Sequence, residues 1–292
     1  MDHMPLKEML SAIDTFSSHG KFHICIHDVS GILKNRVLAV DKKQSLHSGV
    51  FCELAKSTEL GFELCQKCKA CCNRKAIIKK KPFSGLCSFG IFEFVHPVVI
   101  DGKTVCIIYL GNIVTDMNES AKKLEKACRA TGSPLEKLYG ALRTCDSSIT
   151  KEQGEKLCEL IDSYIRLLYE KYKGETITDS PYHWAVYNIK NYADENFTRP
   201  ITLQGVCDLY FINEKYAGKL FAKQVGKSFH EYLNFKRLEK ASYYLLSTNE
   251  KIISIALKCG YSDVTYFNRK FRESYGVTPC DYRAGKRKEK TV

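Results

Sequence analysis

Apolar residues in the last third of the chain recur at the three- and four-residue spacing that is typical of helices. A short helix is predicted at Leu203–Leu209, and Asn213 opens a second one, Glu214–Gln224, that ends before Gly226. A long amphipathic helix is predicted next, at Ser228–Leu246. A short helix, a tight turn and a second helix form the helix-turn-helix pattern.

The same pattern returns after the long helix. A short helix around Ile255 stops at Gly260, and a further helix at Val264–Tyr275 buries Phe267 and Phe271. The second helix of each pair leaves a set of residues on its outer face. These are Glu214, Lys215, Gly218 and Lys219 in the first pair, and Asp263, Thr265, Asn268, Arg269 and Arg272 in the second. Asn and Arg are the side chains that pair bidentately with adenine and guanine.

The first half of the chain mixes strand and helix patterns. A half-buried strand is predicted at Phe22–Asp28, and Asp101-Gly102 marks a tight turn between two longer strands, Phe92–Ile100 and Lys103–Ile113. Helical spacing predicts four further elements: Leu6–Phe16, Glu119–Thr131, Pro134–Leu142 and Lys151–Tyr172. The fold class is therefore α+β in this half, followed by an all-α C-terminal domain.

Length and hydropathy limit where the protein works. A chain of 292 residues fits two domains. No apolar run approaches the roughly 20 residues that cross a bilayer, and Met1–Leu10 does not have the pattern of a signal peptide. We therefore expect a cytoplasmic protein with no membrane partner.

The positive charge is concentrated towards the end of the chain. From His183 to Val292 there are 19 Lys and Arg against 11 Asp and Glu, a net charge of +8 out of +12 for the whole sequence. Such a balance favours attraction to phosphates, although many basic surfaces bind nothing.

The 14 cysteines are unevenly distributed, and six of them lie between Cys52 and Cys87. In a reducing compartment they are free thiols, core residues or metal ligands rather than disulfides. The C-x-x-C spacing places two thiolates within reach of one metal ion, zinc or another thiolate-bound metal. The predicted ligands are Cys52, Cys65, Cys68 and Cys87, with Cys71 or Cys72 as substitutes. Redox-reactive thiols and simple packing remain open alternatives.

Two stretches of the last hundred residues resemble the AraC/XylS family of regulators. One is the linker helix Phe229-His-Glu-Tyr-Leu-Asn-Phe-Lys-Arg-Leu-Glu-Lys-Ala241. The other runs from Ile255 to Arg272, with Gly-Tyr-Ser-Asp-Val-Thr-Tyr-Phe inside it, and continues through Tyr275–Arg283. The resemblance implies a DNA-binding domain with two recognition helices that enter successive major-groove segments.

The same resemblance implies which side chains face bases. They are Glu214, Lys215, Gly218 and Lys219 in one recognition helix, and Asp263, Thr265, Asn268 and Arg269 in the other, with Arg272 beside them. The first helix departs from the usual pattern, because Gly218 offers no side chain and Lys219 replaces a common Arg. We therefore expect this helix to contact mainly phosphates and the second to read sequence.

The N-terminal half is similar to the PocR-type sensory domain. The resemblance rests on Phe51-Cys52, Leu64-Cys65, Leu86–Gly102 and Tyr109–Asn112. It implies a PAS-like α+β module that senses a small alcohol or a related compound. The effector pocket is expected between the sheet and the cysteine segment, a concave site with few polar groups. Its predicted lining is Cys87, Phe89, Glu93, His96, Tyr109 and Asn112.

Together these features predict four segments: a sensory domain at 1–172, a linker at 173–182, a DNA-binding domain at 183–283 and a basic tail at 284–292. The predicted function is an effector-controlled transcription regulator, an activator, with promoter DNA, a small effector and RNA polymerase as partners. A metal- or thiol-redox-responsive regulator is the alternative. A DNA-repair methyltransferase is disfavoured, because no Pro-Cys-His motif occurs. Helix Lys151–Tyr172 either pairs with a second copy, giving a homodimer, or is buried in its own domain.

Overall fold

The structure, a computed structural model, describes residues 4–16, 22–45, 47, 49–173 and 181–285. Most of the predicted linker 173–182 and most of the predicted basic tail 284–292 lie outside these residues. The chain forms two compact units. The first runs to Asn188 and includes Cys207–Asn213, and the second comprises Ile189–Val206 and the chain from Glu214 onward.

The first unit is built on a four-stranded antiparallel sheet in the order β1-β4-β3-β2. Its strands are β1 (His23–Asp28), β2 (Phe83–Leu86), β3 (Phe92–Ile100) and β4 (Lys103–Ile113). The hairpin between β3 and β4 is confirmed. Asp101 and Gly102 have φ values of 48° and 71°, as a type I′ turn requires of both central residues.

In the described part of the chain up to residue 173, seven α-helices accompany the sheet. They are α1 (Pro5–Phe16), α2 (Lys42–Ser45), α3 (Val50–Ala55), α4 (Glu59–Lys79), α5 (Met117–Thr131), α6 (Leu135–Leu142) and α7 (Lys151–Lys171). The predicted α+β class is confirmed. Helix α4 is the largest element that the sequence patterns did not indicate, and it carries Cys65, Cys68, Cys71 and Cys72.

The two faces of the sheet bury different partners. One face packs Phe94, Val98 and Ile108 in a cluster with α1 and the stripe Cys158, Ile161 and Ile165 of α7. The other face packs against α4. Its buried cluster consists of Ala76 of α4 and the strand residues Cys25, Val95, Ile107 and Tyr109. Alternating residues of one strand therefore belong to different environments. The apolar stripe of α7 is buried inside its own unit.

The remaining part of the chain is helical, as predicted. Its helices are α8 (Trp184–Asn196), α9 (Leu203–Tyr210), α10 (Glu214–Val225), α11 (Phe229–Ser247), α12 (Ile252–Lys258), α13 (Val264–Tyr275) and α14 (Pro279–Arg283). Helix α11 starts with a capping box, in which Ser228 and Glu231 satisfy each other's backbone N–H groups. No helix in the described ranges combines the length and the apolar character needed to cross a bilayer.

Arg237 of α11 joins two parts of the second unit. Its Nε donates to the Phe197 carbonyl at 2.6 Å, and its Nη2 donates to the Arg199 carbonyl at 2.9 Å. Its guanidinium also lies over the Tyr261 ring, 5.7 Å from the centroid. Burial lowers the pKa of Arg237. The long helix thus holds the segment before α9 and the turn before α13 in one arrangement.

Candidate functional site

Helix α13 has the capping and packing of a rigid recognition helix. The Asp263 carboxylate accepts hydrogen bonds from the backbone N–H of Thr265 at 2.7 Å and of Tyr266 at 3.2 Å. Phe267 and Phe271 are fully buried against α11 and α12. Asp263, which the family pattern also predicts to face bases, therefore caps α13 through its Oδ1 atom.

The opposite face of α13 is exposed, as the spacing predicted. Thr265, Asn268, Arg269 and Arg272 are all exposed. Arg269 donates from Nη1 to Glu273 at 3.1 Å, and its guanidinium lies over the Tyr266 ring, 5.2 Å from the centroid. These contacts orient the guanidinium on the helix surface. The arrangement can present one amide and two guanidinium groups to the edges of bases.

Helix α10 offers a different surface. Glu214, Lys215 and Lys219 are exposed, whereas Gly218 is half-buried. A Cβ at Gly218 would lie 3.2 Å from Leu203 Cδ2, so the glycine permits the close approach of α9. Gly218 therefore has a packing role rather than the base-facing role that was predicted for it.

Tyr216 was missed as a surface residue of α10. Helical spacing places Tyr216 on the same face of α10 as Leu220 and the buried Phe221. In the structure, however, 52% of the Tyr216 side chain is exposed, whereas Ala217 is fully buried. A small alanine fills the position that faces the neighbouring helices, and the tyrosine points outward beside Lys215. An aromatic side chain among lysines is a further candidate for contact with nucleic acid.

The cysteine segment encloses a small cavity in the first unit. Its walls come from α3, α4, the segment after β2 and the start of β3, and its volume is about 30 Å³ for water-sized molecules. Six of the predicted site residues line it: Cys52, Cys65, Cys68, Cys87, Phe89 and Glu93. Cys87, Phe89 and Glu93 were predicted to line an effector pocket, whereas Cys52, Cys65 and Cys68 were predicted, together with Cys87, as metal ligands. The sequence patterns had not indicated helix α4, which builds one wall of the cavity.

A buried ion pair forms the polar part of the cavity. Lys69 Nζ donates to both carboxylate oxygens of Glu93, at 2.8 and 2.7 Å, and His47 Nδ1 lies 3.3 Å from Glu93 Oε1. Burial alone raises the pKa of Glu93, but the Lys69 ammonium and the His47 hydrogen bond outweigh it and hold the pKa well below its usual range. Burial and the Lys69 charge lower the pKa of His47 to about 4. The carboxylate is therefore charged and the imidazole neutral near neutral pH.

Comparison with known proteins then decides the family. A family model described as the sensory domain found in PocR matches residues 2–172, more than half of the chain. The chain belongs to the PocR sensory-domain family. A model described as a helix-turn-helix domain matches residues 206–285. The chain thus combines a PocR sensory domain with a helix-turn-helix domain.

Three relatives illustrate the extent of the similarity. The regulatory protein PocR of Salmonella typhimurium is 24% identical over 246 residues, covering 80% of this chain and 81% of that protein. The uncharacterized HTH-type transcriptional regulator YpdC of Escherichia coli is 34% identical over 98 residues. That match covers 34% of this chain, and the chain spans about a third of the length of YpdC (34%). The solved C-terminal domain of AraT, a response regulator from Geobacillus stearothermophilus, is 29% identical with a TM-score of 0.36, covering 39% of this chain and 94% of that domain.

Three predicted pocket residues of the PocR domain lie away from the cavity. His96 is on the opposite face of β3 from Glu93, and its Nε2 lies 3.4 Å from Asp162 of α7. Asn112 has a φ of 63°, and its side chain accepts a hydrogen bond from Cys145 Sγ at 3.2 Å. Tyr109 lies behind the wall, with Lys69 Nζ 4.1 Å from its ring centroid. Strand alternation removes His96 from the pocket, and the local backbone turn at the end of β4 removes Asn112.

The predicted metal quartet is not gathered around one point. Cys52, Cys65, Cys68 and Cys87 share a cavity, but no three of their sulfur atoms form a group with mutual distances within 4.8 Å. Among the described residues, the one such group of thiol, imidazole or carboxylate donors is Cys25, His27 and His47. Cys25 lies outside the cysteine segment from which the metal ligands were predicted, although the Cys-x-His spacing on a predicted strand is a signal for such a site.

Two thiols of α4 interact directly. Cys68 and Cys72 are joined by a hydrogen bond that, with further hydrogen bonds from Ser88, lowers the pKa of the Cys68 thiol. The same hydrogen bond, followed by burial, raises the pKa of Cys72. The contact therefore favours the thiolate form in this pair of thiols.

Proposed function

We propose that this protein binds promoter DNA sequence-specifically and activates transcription in response to a small effector, a short alcohol or diol, held in its PocR domain. The observation that carries the proposal is the exposed Asn268 and Arg269 face of α13, on a helix that is capped by Asp263 and anchored by two buried phenylalanines. A rigid helix with bidentate donors on one face suits direct readout in the major groove. Activation implies that the bound protein contacts RNA polymerase.

The two recognition helices are unequal in this proposal. Helix α13 presents Asn268, Arg269 and Arg272, which read base edges or grip phosphates in defined directions. Helix α10 presents Lys215 and Lys219, flexible point charges that suit phosphates better than bases. The second helix-turn-helix therefore supplies most of the sequence discrimination.

The cysteine cavity is the proposed effector site. Its walls are thiols and phenylalanines, and its floor is the Lys69–Glu93 pair, which offers both hydrogen-bond donors and acceptors to a hydroxyl group. A volume of about 30 Å³ has room for roughly two water molecules, on the criterion that one needs about 10–15 Å³. A diol therefore binds only to a more open form of the pocket, and its binding energy shifts the population towards that form.

Substitutions in the two recognition helices are expected to differ in kind. Replacing Arg269 with alanine should remove about 1–3 kcal/mol of discrimination at one or two base pairs. Replacing Lys219 with alanine should weaken binding to all sequences alike and lower the slope of log affinity against log salt by about 1. Fluorescence anisotropy with operator duplexes carrying single base changes, at several salt concentrations, measures both effects.

Lys219→Ala is the matched control for Arg269→Ala, because each removes one exposed cation from a recognition helix. Uniform weakening by Arg269→Ala at every base pair would contradict its role in readout. Loss of discrimination in Lys219→Ala would contradict the phosphate role of α10.

A thiol-responsive regulator is the second candidate. It is favoured by the Cys68–Cys72 pair, in which a lowered pKa makes one thiol reactive at the edge of the cavity. In that case oxidation, rather than an alcohol, changes the affinity for DNA. Comparing the DNA affinity of the reduced and the oxidised protein, with and without alcohols, distinguishes the two inputs.

A further inference from the structure

We propose that Cys25, His27 and His47 form a zinc-class metal site in the PocR domain, next to the cysteine cavity, which His47 also lines. Cys25 and His27 are two positions apart on β1, so their side chains project from the same face of the sheet. His47 comes from the segment between α2 and α3. One donor atom from each residue lies within 4.8 Å of the other two.

This spacing suits a tetrahedral ion. Zinc binds thiolate sulfur at about 2.3 Å and imidazole nitrogen at about 2.0–2.1 Å, so its ligand atoms are separated by roughly 3.5 Å. Side-chain rotations that move the donor atoms by about an ångström would bring the three of them to that separation. A mixed set of one soft thiolate and two imidazoles favours zinc, or its spectroscopic substitute Co²⁺, over calcium or magnesium.

The surroundings of His47 have the form of a metal-ligand support. Its Nδ1 lies 3.3 Å from Glu93 Oε1, and the pairing of Glu93 with Lys69 fixes that carboxylate. Nδ1 therefore donates its proton to Glu93, and the lone pair resides on Nε2. That nitrogen is buried and has no hydrogen-bond partner in the described part of the chain. In metal sites, one nitrogen of a ligating histidine binds the ion while the other donates its proton to a carboxylate or a carbonyl group. The contact of His47 Nδ1 with Glu93 matches the second of these interactions.

His27 is also held in place by its neighbours. Its Nδ1 lies 3.3 Å from Asn73 Oδ1 and 3.0 Å from Asn73 Nδ2, and the Tyr109 hydroxyl donates to Asn73 Oδ1 at 2.5 Å. The rings of His27 and His47 meet edge to face, with centroids 5.2 Å apart. Burial, the other histidine and the Lys69 charge lower the pKa of His27. The geometry thus holds both rings beside the Cys25 thiol, with one donor atom of each within 4.8 Å of the others.

Metal binding must release the Cys25 proton. Burial raises the pKa of the Cys25 thiol, so without a metal the side chain is a neutral thiol. Coordination replaces that proton with the ion, and affinity therefore increases with pH. The neighbouring Lys69 ammonium is compensated by Glu93 and does not add a net positive charge. Three protein donors leave a fourth position for water or a small ligand.

The test is a Co²⁺ titration of the full chain after removal of bound metal by chelation. We expect one Co²⁺ per chain, with tetrahedral ligand-field bands and a thiolate-to-cobalt charge-transfer band. Cys25→Ser should abolish the charge-transfer band, and His47→Gln should weaken binding at least about tenfold. Cys68→Ser, the matched control from the cysteine cavity, should keep both bands.

Circular dichroism establishes whether each variant is folded. Should Cys25→Ser fail to fold, His47→Gln decides, because His47 lies outside the helices and strands. The proposal is overturned if the charge-transfer band survives in folded Cys25→Ser or is lost in Cys68→Ser. It is also overturned if the band never forms in the wild type. The readout is metal binding alone, so its outcome does not depend on whether an alcohol controls the protein.

Discussion

Replacing Gly260 with alanine is expected to unfold the second compact unit and to abolish DNA binding. Gly260 has a φ of +88°, and a Cβ there would lie 2.6 Å from the Thr198 carbonyl oxygen and 2.9 Å from its carbonyl carbon. These are backbone atoms, so no side-chain rotation relieves the overlap. The left-handed backbone alone costs about 1–2 kcal/mol. With the overlap we expect a total above about 4 kcal/mol, in the range of severe strain.

Gly276→Ala is the matched control for this substitution. Gly276 ends α13 with a φ of +77°, and a Cβ there would meet nothing within 4 Å in the described part of the chain. It should therefore show the backbone cost of about 1–2 kcal/mol without the overlap. Urea unfolding followed by circular dichroism measures both variants, and anisotropy with operator DNA measures function. Equal losses of stability in the two variants would show that the approach of Thr198 to Gly260 is not tight.

Breaking the Lys69–Glu93 pair from one side is the second large effect expected. Lys69→Met would leave the Glu93 carboxylate buried at 6% exposure without its ammonium partner. Removing one partner of a buried pair typically costs about 3–5 kcal/mol, because the remaining charge is desolvated and uncompensated. The measurement is the free energy of unfolding of the full chain in urea, read by circular dichroism.

The double variant Lys69→Met/Glu93→Leu is the control, because it removes both charges and keeps most of the buried volume. It should recover much of the stability that either single change loses. A double variant no more stable than Lys69→Met would show that volume, not charge, explains the loss.

The pH dependence of stability gives a second readout of this pair. The pKa of Glu93 is depressed in the folded state from its ordinary value of 4.5. Its contribution is therefore fully present above that value and declines as the pH falls below it. The wild type should lose this contribution on acidification, whereas Lys69→Met/Glu93→Leu has none to lose.

Periodic, strongly apolar elements could be predicted from the sequence, and α4 could not. The bounds of β3, β4 and α13 were predicted to the residue, because alternation, a turn dipeptide and capping residues all agreed. Helix α4 buries Gly61, Phe62, Lys69, Asn73 and Ala76, so only one of its five buried residues is a large apolar one. A helix that buries small and polar groups has no apolar stripe, and periodicity cannot detect it.

The residues of the candidate sites were predicted less evenly than the fold. Cysteine spacing located the cavity walls, but the polar partners Lys69 and His47 are separated from Glu93 by 24 and 46 positions and meet it only in the folded chain. Gly218 was assigned an outward role from helical position and from the family resemblance, and its approach to Leu203 is a property of the folded chain. The cap at Asp263 could be predicted, because an Asp directly before a helix is a preferred N-cap residue.

In the proposed function, this protein recognises DNA sequence and its PocR domain controls that recognition. The most direct test is to select sites from random DNA with the full chain, and then to measure anisotropy on the selected site and on a scrambled duplex at one salt concentration. The titrations are repeated with short alcohols and diols, and with oxidised protein. We predict a preference of at least about a thousandfold for the selected site, and a change of about 5- to 150-fold in affinity with one effector. Equal affinity for both duplexes under every condition would contradict the account.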